Sequence, residues 1–168
     1  MNICIDFDGT MVNHVYPGVG EPVPGAIEAC KKFIEEGCNI ILWTMRSGKT
    51  LDDAVDFFDK HDIKLWGINN NPMQIYWTTS PKAYADYYVD DASACCPLIQ
   101  VDGWNRPCVD WFVISRFIMD KIEEENEFVR KLKMYDQRQL KKGVNTYTSS
   151  IPVDNVPGLM PTEQRGDQ

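Results

Sequence analysis

Short apolar runs alternate with amphipathic segments over the first half of the chain. Residues 26–36 carry apolar side chains at helical spacing, a second helix is expected to begin at Thr50, and a short one is expected over 81–87. The apolar runs between these segments predict four buried strands, at residues 2–7, 39–44, 63–68 and 88–89. Strands separated by helices of this length pair in parallel. We therefore predict an α/β fold, a three-layer, doubly wound parallel sheet.

The pattern changes after residue 91. Residues 98–101 and 108–111 flank Asp102-Gly103, which is typical of a hairpin. Residues 114–140 are rich in charge, carry apolar residues at helical spacing and predict one long helix. This helix is compatible with a homodimer but does not require one. Residues 141–168 are polar and rich in Pro, Gly, Ser and Thr, so we expect a mobile tail after a single domain over 1–140.

The first predicted strand ends in the sequence Asp6-Phe7-Asp8-Gly9-Thr10. Because residues i and i+2 of an extended chain project to the same side, Asp6 and Asp8 are expected to share one small space. Adjacent carboxylates repel each other, so one binds a proton or both meet a cation. A plain strand end with an Asp-Gly turn is the alternative, but it leaves the polar residues at the other strand ends unexplained.

Polar residues also follow the other predicted strands. Thr44 ends the second strand with Arg46 close behind it, Asp90 and Asp91 follow the fourth strand, and Lys82 precedes it. In open parallel sheets, sites form outside the carboxyl ends of the strands, where these residues meet. Carboxylates beside a hydroxyl and an ammonium group predict a site for a hard cation next to a phosphate pocket.

The order Asp-x-Asp-Gly-Thr, Thr, Lys and Asp-Asp resembles the four motifs of the haloacid dehalogenase superfamily of phosphohydrolases, over residues 3–91. The segments Ile-Leu-Trp-Thr-Met-Arg at 41–46 and Ser-Pro-Lys-Ala-Tyr at 80–84 are similar to those of a small bacterial and phage branch. The resemblance implies a Rossmann-like fold. It also implies hydrolysis of a phosphomonoester through an aspartyl-phosphate intermediate.

The resemblance further implies roles for the acidic residues. Asp6 would be the nucleophile, and Asp8 would protonate the leaving oxygen and then activate water. Mg²⁺ would be held by the Asp6 carboxylate, the Asp8 backbone carbonyl and Asp90. Asp91 would be either a direct ligand or a group just outside the ligand sphere. A raised pKa would suit the acid role of Asp8.

The residues expected to bind phosphate come from the later motifs. The resemblance implies that Thr44 and Lys82 hold the phosphoryl oxygens, with backbone amides near Phe7, Met45 and Arg46 completing the cradle. We also predict that the Arg46 side chain faces the substrate, with a surface salt bridge as the alternative.

Relatives in this superfamily often insert a cap domain that selects the substrate. Here the corresponding gaps, residues 11–24 and 69–81, are short, so we expect a capless or minimally capped protein with an open site. The loop over 11–21 could form a small flap with His14 and Tyr16. His14 either contacts substrate or is a solvated loop residue.

Composition restricts the partners. The formal charge of −8 disfavours broad electrostatic binding to nucleic acid or an anionic membrane. No apolar run is long enough to span a membrane, and acids stand where a signal peptide would be basic, so we expect a cytoplasmic protein. Six cysteines without a Cys-x-x-Cys pattern and two histidines argue against zinc.

Three functions remain open at this point. The first is a Mg²⁺-dependent phosphatase acting on a small phosphate ester, such as a nucleotide or sugar phosphate. The second is an enzyme that processes phosphorylated nucleic-acid ends or a phosphorylated protein, which the open site permits and the acidic charge disfavours. The third is a non-catalytic phosphate-binding or assembly module.

Overall fold

The computed structural model describes residues 1–141, and its centre is a four-stranded parallel sheet. Helix α1 (Ala26–Glu35) connects the first two strands, and helix α2 (Lys49–Lys60) connects the second and third. The strands are β1 (Asn2–Ile5), β2 (Asn39–Leu42), β3 (Leu65–Ile68) and β4 (Tyr87–Val89), in the spatial order β3-β2-β1-β4. The predicted α/β arrangement with a parallel sheet is confirmed.

The two central strands are buried on both faces. Ile3 and Ile5 of β1 pack in one cluster with Phe33 of α1 and Phe58 of α2, so both helices cover the same face. The opposite face, which presents Cys4, is covered by Ala83 together with neighbouring partly buried residues. Apolar burial on two sides explains why these strands are continuous apolar runs rather than alternating ones.

The helix predicted over residues 81–87 does not form. The buried side chain of Gln74 donates its amide hydrogens to the carbonyls of Ser80 (2.7 Å) and Lys82 (3.0 Å), and its oxygen accepts from the Tyr84 amide (2.7 Å). These backbone groups are therefore satisfied by a side chain instead of by helical partners. The only helical turn between β3 and β4 is a 3₁₀ helix at Pro72–Tyr76.

A short antiparallel hairpin follows β4. Its strands are β5 (Leu98–Ile99) and β6 (Cys108–Val109), so the predicted hairpin is confirmed with shorter strands. Helix α3 (Trp111–Lys141) begins earlier than predicted, because the Asp110 carboxylate accepts from the amides of Phe112 (3.1 Å) and Val113 (3.2 Å). This is the geometry of a helix N-cap.

The chain divides into two units, residues 1–125 and residues from 126 onward, and the described part of the second unit is the end of α3. The tail predicted over 141–168 lies, apart from its first residue, outside the described residues. Within residues 1–141, no helix has both the length and the hydropathy needed to cross a membrane. The cysteines of the chain are all free, and four of the six are buried, as expected for small core residues.

Candidate active site

The chain turns sharply after β1 and returns into the core. The amide of Asp6 still donates to Val89 of β4 (2.9 Å), and the Phe7 carbonyl then accepts from the amides of Met11 (2.9 Å) and Val12 (3.1 Å). Phe7 is fully buried, and its ring packs against Phe57 of α2. The core thus holds the residue between the two acids, while Asp6 and Asp8 line a cavity.

Three carboxylates meet beside this turn. Asp6, Asp90 and Asp91 each place one carboxylate oxygen within 4.8 Å of the others. Burial raises the pKa of Asp6 to about 7, and the negative charges of Asp90 and Asp91 add to the increase. Three close carboxylate oxygens of this kind can hold a divalent cation, which would offset the repulsion among them.

The buried hydroxyl of Thr10 links two of these acids. It donates to the Asp6 carboxylate (3.2 Å) and accepts from the backbone amide of Asp91 (3.1 Å). The Thr10 carbonyl in turn accepts from the indole nitrogen of Trp111, at the start of α3 (2.7 Å). Sequence reasoning gave Thr10 no role, although it belongs to the first motif. Its hydroxyl fixes the spacing between the ends of β1 and β4.

The close approach of Asp91 explains the glycine in the turn. Gly9 has a φ of +89°, which favours glycine, and a Cβ at this position would lie 2.5 Å from Asp91 Oδ2. Any larger residue would therefore push the carboxylate of Asp91 away from Asp6 and Asp90.

Asp8 has a different partner from Asp6. Its two carboxylate oxygens accept from Nε and Nη2 of Arg46, each at 2.7 Å, in a bidentate ion pair. The Arg46 side chain is 1% exposed and that of Asp8 is 14% exposed. The Asp8 carboxylate therefore already has a cation supplied by the chain, whereas the group of Asp8 predicted to hold Mg²⁺ is its backbone carbonyl.

The side chain of Arg46 is fully engaged with the protein. Besides Asp8, its Nη2 donates to the carbonyl of Gly18 (2.6 Å), and its Nη1 donates to those of Pro17 (3.2 Å) and Thr50 (3.4 Å). All five N–H groups of the guanidinium thus have acceptors. The prediction of a substrate-facing side chain, like the alternative of a surface salt bridge, does not match this buried position, which instead ties the loop over residues 17–18 to Asp8.

Thr44 lies where predicted, just beyond β2. The Asn69 side chain accepts from its amide (2.7 Å) and donates to its carbonyl (2.9 Å). Its hydroxyl oxygen accepts from the Arg46 amide (3.2 Å), which leaves the hydroxyl hydrogen available to an anion. The neighbouring Met45 is almost completely exposed, at 97%. Asn69, just beyond β3, thus holds Thr44 in place through its side chain.

Lys82 is not brought to the acids. Its side chain is exposed, and Nζ lies 5.5 Å from the centre of the Tyr88 ring. The residue lines neither of the two cavities next to Asp6. The predicted contact between Lys82 and a bound phosphoryl group therefore requires its side chain to leave Tyr88.

Two cavities meet at the acids. One, of about 400 Å³, is bordered by Asn69 and Pro81, and the other, of about 580 Å³, is bordered by Asp8 and Asp91. The walls that both share are formed by Asp6, Thr44, Met45 and Asp90. A third cavity, of about 720 Å³, lies between α1 and the start of α3 and contains none of the predicted site residues.

The larger of the two adjoining cavities contains a cation that the sequence did not reveal. Arg106, in the hairpin loop before β6, lines it together with His14 and Tyr16 of the predicted flap. Burial and the charge of Asp90 raise the pKa of Asp91, and the positive charges of Arg106 and His14 oppose that increase. The sequence signal for Arg106 was weak: one basic residue in a hairpin that follows a site strand.

Comparison with known proteins gives one informative match. No family model matches the chain, and no curated protein does. A solved structure of a conserved protein from Bacteroides thetaiotaomicron is similar, with 33% sequence identity and a TM-score of 0.59. The match covers 72% of this chain and 91% of that protein.

Proposed function

From the geometry of its strand-end acids, we propose that the chain is a Mg²⁺-dependent phosphomonoester hydrolase of the haloacid dehalogenase type. The chain belongs to the same family as the conserved Bacteroides thetaiotaomicron protein. In this proposal the parallel sheet is the core of a three-layer, Rossmann-like fold. The observation that carries the proposal is the meeting of three carboxylate oxygens within 4.8 Å beside the hydroxyl of Thr44. Such a donor set suits a hard divalent cation and a phosphate group.

The cation would be held by Asp6, Asp90 and Asp91. When bound, it would offset the charge of the phosphoryl oxygens, so that a carboxylate can approach an anionic ester. The raised pKa of Asp6 supports this assignment, because such a carboxyl is stabilised as an anion by a cation rather than by the surrounding protein.

Asp6 is the proposed nucleophile. Its carboxylate oxygen forms a bond to phosphorus while the bond from phosphorus to the leaving oxygen breaks, and the leaving oxygen takes a proton. Water then attacks the aspartyl-phosphate, which releases inorganic phosphate and restores Asp6. The Thr44 hydroxyl would donate to an equatorial oxygen, where charge builds up in the transition state.

Asp8 is the proposed acid and base of these two steps. With both of its oxygens accepting from Arg46, each keeps a lone pair that can accept a proton from water in the second step. The same lone pair would carry the proton that Asp8 gives to the leaving oxygen in the first step, with the ion pair to Arg46 kept. Arg46 is therefore a positioning residue in this proposal, rather than one that contacts substrate.

The test is release of inorganic phosphate from p-nitrophenyl phosphate, nucleotides, sugar phosphates and 3′-phosphorylated oligonucleotides, with Mg²⁺ and with a chelator. We expect Mg²⁺-dependent release that falls by at least about 1000-fold in Asp6→Asn, since both the nucleophile and a metal ligand are lost. Asp59→Asn, an exposed acid on α2, is the matched control and keeps wild-type activity. Wild-type rates in Asp6→Asn would refute the nucleophile assignment.

The same substrate panel separates the other functions. Release from the oligonucleotides alone, or from a phosphorylated protein added to the panel, indicates an end-processing or protein phosphatase. Binding of Mg²⁺ and phosphate without any release indicates a non-catalytic module. A homodimer and a cytoplasmic location stay predictions, and light scattering on the purified chain tests the first of them.

A further inference from the structure

We propose that Arg106 selects substrates whose leaving group carries a second anionic group, a carboxylate or another phosphate. The inference rests on the proposed function, because it assigns one side of that site to the leaving group. The substrate class would then be small bis-anionic phosphomonoesters.

The two cavities take different parts of a substrate. Asp8, which serves the leaving oxygen in the proposed chemistry, lines the cavity of about 580 Å³ but not the cavity of about 400 Å³. Asn69, which holds Thr44, lines only the smaller cavity. The phosphoryl group therefore fits the smaller side and the leaving group the larger. A volume of about 580 Å³ is within the usual range for small-molecule sites.

The larger cavity is strongly acidic. Four carboxylates line it, those of Asp6, Asp8, Asp90 and Asp91. One of its two guanidinium groups, that of Arg46, is buried and has donated every N–H group to the protein. An anionic leaving group can approach such a wall only where a further cation is available.

Arg106 can supply that cation. Arg106 is exposed, and the ion pairs within residues 1–141 do not include it. Its planar fork of N–H donors fits a carboxylate or phosphate through two parallel hydrogen bonds. His14 lines the same cavity, while Tyr16, Met45 and Leu98 provide exposed apolar surface for a short carbon skeleton between the two anionic groups.

The kinetic test uses pairs of substrates that differ in one anionic group: 3-phosphoglycerate against glycerol 3-phosphate, and glucose 1,6-bisphosphate against glucose 6-phosphate. In Arg106→Gln, we expect the ratio of kcat/KM values within a pair to fall by about 10- to 100-fold, because a charged hydrogen-bond pair is lost. The first pair reports on a carboxylate and the second on a phosphate. Arg116→Gln, an exposed arginine on α3 away from these acids, leaves both ratios unchanged.

A binding test does not depend on turnover. Calorimetry in Mg²⁺ compares 3-phosphonopropionate with propylphosphonate, which lacks the carboxylate, on the wild type and on Arg106→Gln. We expect the wild type to prefer 3-phosphonopropionate and the variant to lose that preference. The inference is overturned if the variant loses affinity equally for both compounds, keeps the preference, or if neither compound binds the wild type. A preference found without phosphate release from any ester would refute the proposed hydrolysis and leave the role of Arg106 standing.

Discussion

Asp6 and Asp8 leave the same strand end, separated by one residue, yet the two regions around them are opposites. Asp6 faces Asp90 and Asp91, with a threonine hydroxyl as its side-chain donor. Asp8 faces a buried arginine that donates to both of its oxygens. One region can take a cation from solution, and the other contains its own. An Asp-x-Asp sequence therefore does not imply that its carboxylates share a partner.

The largest effect expected from this difference is a dependence on the leaving group. Asp8→Asn is expected to lower kcat/KM for alkyl phosphates by about 100- to 10,000-fold, since their leaving oxygen needs a proton. The loss for p-nitrophenyl phosphate is smaller, because that oxygen leaves as a stable anion. Asp6→Asn lowers both rates alike. Equal losses for both substrates in Asp8→Asn would remove the distinction between the two acids.

The next largest effect is on stability. Arg46→Gln leaves Asp8 without its partner, and we expect the free energy of unfolding to fall by about 3 kcal/mol, as for other largely buried ion pairs. Urea unfolding measures this, and adding Asp8→Asn recovers part of the loss. Lys49→Gln breaks the exposed pair with Asp53 and leaves the free energy of unfolding nearly unchanged, because solvent screens that pair. Similar losses of unfolding free energy in Arg46→Gln and Lys49→Gln would show that burial does not strengthen the Asp8–Arg46 pair.

We expect the contribution of Asp6 to stability to fall as the pH rises, whereas a salt-bridged acid contributes more as the pH rises. The pKa of Asp6 is raised from 3.8 to about 7 in the folded chain, so the folded state binds the proton more tightly than the unfolded state. Its contribution to stability is therefore complete below about pH 4 and is lost as the pH rises to about 7.

Mg²⁺ has to displace this proton, so its affinity is expected to fall about tenfold for each pH unit below about 7. Calorimetric titration with Mg²⁺ between pH 5 and pH 8, as a rough window set by this pKa, measures the slope. The slope flattens in Asp6→Asn. A wild-type affinity that stays constant across that window would mean that Asp6 is not a ligand.

The smallest effect separates backbone strain from site geometry. Gly9→Ala and Gly103→Ala both place a side chain at positive φ, at +89° and +80°, and each costs about 1 kcal/mol of stability. Only at Gly9 does the new Cβ meet the carboxylate of Asp91; at Gly103 it meets nothing within 4 Å. We expect Mg²⁺ affinity to fall about tenfold in Gly9→Ala and to stay unchanged in Gly103→Ala. Equal affinities in the two variants would exclude Asp91 from the metal site.

The sheet could be predicted from sequence because its two central strands are buried on both faces. The boundaries were less accurate: β1 ends at Ile5 and β2 at Leu42, each two residues before the predicted end. In both strands one further amide, that of Asp6 or Trp43, still bonds to a neighbouring strand. Hydropathy follows burial, which continues through Phe7, whereas strand assignment follows the hydrogen-bond ladder.

The predictions fail where a side chain forms hydrogen bonds with residues that the local sequence pattern does not reveal. The Gln74 side chain takes the backbone groups that a helix over 81–87 would need, and nothing within 81–87 signals this. Arg46 and Asp8 are 38 positions apart, and their pairing depends on the loop over 17–18 also accepting from the guanidinium. The acids at the strand ends were predictable because parallel topology alone brings them together.

The meeting of two cavities at Asp6 also bears on how water enters. In the proposed reaction, the alcohol can leave through the larger cavity after the first step, while phosphorus is still bonded to Asp6. The space that the alcohol leaves is bordered by Asp8. A water molecule that enters this space lies next to the proposed base and opposite the bond between Asp6 and phosphorus. A separate channel for the attacking water is then unnecessary, since departure of the first product creates the entrance for the second reactant.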